Sequence, residues 1–74
     1  MPQEIISELA KIEVPFGKEI NFQDIKHESG LQMMRIRIKE GSRFTILDID
    51  HETAKKWGII FDTWIKETKL TKPP

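Results

Sequence analysis

The side chains that could do chemistry are few. The chain has two histidines, His27 and His51, three serines, Ser7, Ser29 and Ser42, scattered carboxylates, and no cysteine. Nucleophilic catalysis needs a nucleophile, a base and a group that orients the base, or else a metal. No such set recurs at a workable spacing here. Without cysteine, thiol nucleophiles, CxxC redox pairs and thiolate zinc sites are excluded. The strand register derived below places His27 and His51 on one row, about 10 Å apart, too far for a shared metal bound at about 2 Å. Gly17, Gly30, Gly41 and Gly58 lack the spacing and the strand-to-helix junction of a phosphate loop. The expectation is a protein that is no enzyme and carries no cofactor or metal.

The remaining polar signal is basic. The chain holds 12 Lys plus Arg against 12 Asp plus Glu, and that zero net charge removes the simplest argument for a nucleic-acid protein. The charges are nevertheless unevenly placed. Up to residue 34, Lys11, Lys18 and Lys26 face Glu4, Glu8, Glu13, Glu19, Asp24 and Glu28, and the excess of bases lies beyond. Arg35, Arg37, Lys39 and Arg43 crowd into one hairpin, with Lys55, Lys66 and Lys69 adding to the field. They are the candidate nucleic-acid residues, against the plainer reading of a solvated strand face.

These residues need strands to align them. Residues 19–27, 31–39 and 43–49 alternate with period two and are rich in Ile, Phe, Met and Thr. Each pair is separated by three residues that include glycine, the signature of consecutive hairpins. The first loop is Glu28-Ser29-Gly30, with glycine at the third position, which suits a type I turn with a bulge. A three-residue second loop, Glu40-Gly41-Ser42, sets Phe44 opposite Ile38 and Ile46 opposite Ile36, all on one face. The other face then carries Arg35, Arg37 and Arg43 at one end and Ile25, Leu31, Met33, Leu47 and Ile49 at the other. That aliphatic group is the candidate protein-interaction site, facing an unidentified protein or a second copy in a homodimer.

Asp50 reads as a helix N-cap, with Glu52 at the positive end of the dipole. At 100° per residue, Ala54, Trp57, Gly58, Ile60, Phe61, Trp64 and Ile65 share one arc, expected to dock on the first sheet face as core. Gly58, costing about 1 kcal/mol against Ala inside a helix, suggests close approach to a strand. In residues 1–17, Ile5, Leu9 and Ile12 have helical spacing, while Ile12, Val14 and Phe16 alternate as in a strand. The expected fold is thus α+β: a three-stranded antiparallel meander with one C-terminal helix over residues 18–70, a loose tail at 71–74, and an N-terminal segment, helix or fourth strand, covering a sheet face or edge. No apolar run reaches membrane-spanning length and no secretion signal is evident, which predicts a cytoplasmic protein.

Two resemblances follow from these residues. Arg43-Phe44-Thr45-Ile46-Leu47-Asp48-Ile49-Asp50, the Arg/aliphatic hairpin at Met33–Gly41, and Glu52-Thr53-Ala54 before a Trp-containing helix resemble a family of short bacterial proteins of unknown function. That resemblance implies an antiparallel sheet with one helix and no catalytic residue. The strand order and Trp-bearing helix also resemble, in topology only, transcriptional coactivators that bind single-stranded DNA on a curved sheet and dimerise through the helix. Single-strand binders stack bases on exposed rings, and the register above leaves the Arg face with none.

Overall fold

The computed structural model describes residues 3–68. Four strands and one helix follow in order: β1 (Glu4–Val14), β2 (Lys18–His27), β3 (Gln32–Glu40), β4 (Arg43–Ile49) and α1 (His51–Thr68). The strands form one antiparallel sheet of order β1-β2-β3-β4. The N-terminal segment is therefore a fourth strand on the edge of β2, not a helix. Lys69 and the tail at 71–74 lie outside the described residues.

The mixed periodicity of β1 has a local cause. Glu8 pairs with Gln23 and Ala10 with Phe22, so Leu9 is an extra residue in a bulge. A bulge inverts the side-chain parity beyond it. Ile5 and Ile12 thereby reach the same face although their positions differ by an odd number, which imitates helical spacing. Pro15-Phe16-Gly17 closes the hairpin to β2, with Phe16 at φ +71° and Gly17 at +75°. Phe16 is 95% exposed at this tip.

The β2–β3 register is as expected: Ile20 faces Ile38 and Phe22 faces Ile36. Gly30, at φ +97°, takes the left-handed position of the loop. The β3–β4 register is not. Glu40 pairs with Arg43, Lys39 with Phe44 and Arg37 with Ile46, so only Gly41 and Ser42 form the turn. Gly41 has φ +62° while Ser42 is not left-handed, the pattern of a II′ turn with glycine first. One residue of slip turns every β4 side chain over. Phe44, Ile46 and Asp48 now share a face with Arg35, Arg37 and Lys39, and Arg43, Thr45, Leu47 and Ile49 move to the face that carries the helix.

The helix starts where the N-cap requires. Asp50 Oδ1 accepts the Thr53 backbone N–H at 2.9 Å, and this hydrogen bond holds the Asp50 carboxyl below its ordinary value. The core is small: Ile36 and Ile49 are buried beneath the start of α1, and Ile25 is buried on the opposite, open face. Ile25 lies directly across from Ile6 on β1 and Met33 on β3. With no element over that face among the described residues, its cover comes from such strand neighbours.

Candidate interaction surface

Only the first two turns of α1 meet the sheet. Ala54 and Trp57 are half-buried, and every residue from Gly58 to Glu67 is exposed. The arc expected to be core is consequently bare along most of its length: Ile60 is 64% exposed, Phe61 57%, Trp64 65% and Ile65 54%. Trp57 and Phe61 contact each other with ring centroids 5.7 Å apart. A Cβ built on Gly58 would meet nothing within 4 Å, so no strand approaches it and the expected reason for this glycine fails.

Helix and sheet diverge around a cleft of about 310 Å³, lined by Ile12, Phe22 and Ile36 from the sheet and Trp57, Gly58 and Phe61 from the helix, among others. Its walls are almost wholly apolar. Ile12 and Leu47 extend the same surface across the sheet, both exposed. Water against such walls is unfavourable, at roughly 25 cal/mol per Å².

The candidate aliphatic site does not assemble as one patch. Ile25 and Met33 point to the open face, Leu47 and Ile49 to the helix side, and Leu31 precedes β3. Ile25 and Ile49 are themselves buried. Slip in β4 is the physical reason for the split. The exposed helix arc, which sequence reasoning assigned to the core, is the larger apolar surface.

The basic candidates divide as well. Arg43 lies on the helix side, opposite Glu40. Arg35 is held by Asp48, with Nε 2.8 Å from Oδ1 and Nη2 3.0 Å from Oδ2. This bond keeps the Asp48 carboxyl below its ordinary range and raises the guanidinium further. Arg37 sits over the Phe44 ring at 5.5 Å from its centroid, so the Arg face does carry an aromatic ring. Together with Lys39, Asn21 and Glu19 they line a cleft of about 250 Å³.

Carboxylates flank it. Glu8 accepts hydrogen bonds from Asn21 Nδ2 and from the buried Gln23 Nε2, while Lys11 binds Glu19 at 2.7 Å. That contact lowers the Glu19 carboxyl and raises the Lys11 amine. His27 Nδ1 lies 3.5 Å from Glu4. The altered register removes the row on which His27 and His51 were expected, and among the described residues no group of three or more His, Asp or Glu side chains could hold a metal.

The model of a family of unknown function, DUF6967, matches residues 3–67. The chain belongs to this family. The match runs from the start of β1 nearly to the end of α1, so the DUF6967 unit includes both the sheet and the exposed helix arc. No curated protein and no solved structure gives a match. No helix among the described residues is long and apolar enough to cross a membrane.

Proposed function

We propose that the chain is a non-catalytic protein-interaction module that works through the apolar side of α1 and the sheet face beneath it. One observation carries this reading: four large apolar residues of a single helix arc, Ile60, Phe61, Trp64 and Ile65, stand in solvent beside an apolar cleft. Contiguous apolar surface of this kind marks an interaction site. A projecting helix suits a protein surface better than a small ligand, which needs a concavity that encloses it. The test is the mass of the tagged full chain in a gently prepared cell extract. It should elute well above 8.7 kDa, and the double change Ile60→Lys and Ile65→Lys should shift it to the free mass with its strand signal intact. Elution of the parent at 8.7 kDa would end the reading.

A second reading uses the open face. Arg37 and Lys39 stand beside the Phe44 ring, a combination suited to single-stranded nucleic acid. Two phosphate contacts predict a slope of about −1.4 in log affinity against log salt. Fluorescence anisotropy of a labelled oligonucleotide at low salt checks this; an unchanged signal, or a slope unaffected by Arg37→Ala, removes it. The carboxylates of Glu4, Glu8, Glu13 and Glu19 share that face and work against a phosphate chain.

A further inference from the structure

We propose that the apolar side of α1 is covered by a second copy of this chain, the two helices packing antiparallel about a two-fold axis near Gly58 and Phe61. The inference rests on the interaction reading above and names its occupant.

The spacing of the helix supports a helical partner. Ala54, Trp57, Phe61, Trp64 and Thr68 follow intervals of three, four, three and four, the spacing of a knobs-into-holes seam. Its N-terminal part is used on the chain's own sheet, whereas Phe61 and Trp64 beyond it stand exposed. Gly58 flanks the seam and has no neighbour within 4 Å of where its Cβ would stand. Glycine in a helix interior costs about 1 kcal/mol against alanine, and nothing among the described residues repays it. A ring from a facing helix, Phe61 of the second copy, would occupy that space.

The helix dipoles favour antiparallel packing. Antiparallel helices bring the dipole-positive N-terminal end of one beside the dipole-negative C-terminal end of the other. The formal net charge of zero leaves no long-range repulsion between copies.

The area is sufficient. Ile60, Phe61, Trp64 and Ile65, with Ile12 and Leu47 on the sheet, expose roughly 700 Å², close to the ~800 Å² per partner of a standard interface. Need argues for a permanent partner: among the described residues only Ile25, Ile36 and Ile49 are buried apolar side chains. A helix segment such as 58–67, about ten residues exposed throughout, is marginal in water. The one molecule present whenever this chain is made is another copy of it.

Light scattering on the purified full chain from about 1 to 500 μM tests the proposal. The parent should show twice 8.7 kDa. Gly58→Leu should weaken the dimer at least tenfold, whereas in a monomeric helix with open space at that position it would only raise the melting temperature. The native sequence has no cysteine, so single cysteines report orientation: a short thiol crosslinker should join Ile60→Cys chains and not Glu67→Cys chains. A monomer throughout, a Gly58→Leu variant with unchanged self-affinity, or crosslinking at both positions overturns it. A purified monomer that still runs in a large complex in extract refutes the second copy alone; free mass in both settings refutes the interaction reading too.

Discussion

Ile25→Ala should destabilise the fold by about 3 kcal/mol, within the range for truncating a buried isoleucine. Ile25 is 0% exposed, and the side chains opposite it, Ile6 and Met33, lie in strands whose hydrogen-bond ladders hinder them from closing the gap. In a domain of this size each kcal/mol shifts the melting temperature by roughly 4–8 °C, so a fall of about 15 °C is expected. Ile59→Ala is the control. Ile59 is 63% exposed and lies off the proposed helix seam, and such surface changes stay within about 0.5 kcal/mol. Urea unfolding monitored by circular dichroism checks both. A loss below about 1 kcal/mol for Ile25→Ala would mean that the open face contributes little core.

The same comparison separates structural from interacting residues. Ile25 was a candidate for binding a partner, yet its burial leaves no surface to offer. Ile25→Ala should lower stability while the self-affinity of the molecules that remain folded is unchanged. Changes at Ile60 or Ile65 should do the reverse, lowering affinity more than the stability of the sheet.

How far the architecture could be read from residues depended on whether a local signal had one solution. Gly30 at the third place of its loop fixed β2 against β3, and Asp50 three residues before Thr53 fixed the helix start. In β4 both alternations carry apolar residues, Phe44 and Ile46 on one side, Leu47 and Ile49 on the other. Hydrophobic pattern alone could not choose between registers one residue apart. The deciding signal was Gly41, standing first in a two-residue turn. The β1 bulge at Leu9 mixed two periods, and its effect becomes plain only when Ile5 and Ile12 are seen on one face. Helix amphipathicity located an apolar arc correctly, but periodicity is blind to whether the chain's own sheet or another molecule covers it. The candidate interaction surface was therefore named as core, because burial depends on where α1 runs after Trp57.

Asp48→Asn should cost about 1 kcal/mol at neutral pH, a value discounted for the solvent that still reaches the pair. Arg35 and Asp48 face each other across β3 and β4, and the two parallel N–H···O bonds need little rearrangement to form. Because the folded state holds the Asp48 carboxyl below its ordinary value of 3.8, the stabilisation is complete above that value. It is lost as pH falls through the folded one. The parent and Asp48→Asn should thus differ in urea melts at pH 7 and converge in acid; a gap independent of pH would assign the effect to packing. The substitution also bears on the open face. It frees the Arg35 guanidinium beside Arg37 and Lys39, so a third phosphate contact should steepen the salt slope from about −1.4 to about −2.1 if single-stranded nucleic acid binds there. If no binding appears even with Asp48 neutralised, the pairing of Arg35 with Asp48 serves to fix the β3–β4 hairpin from which α1 projects.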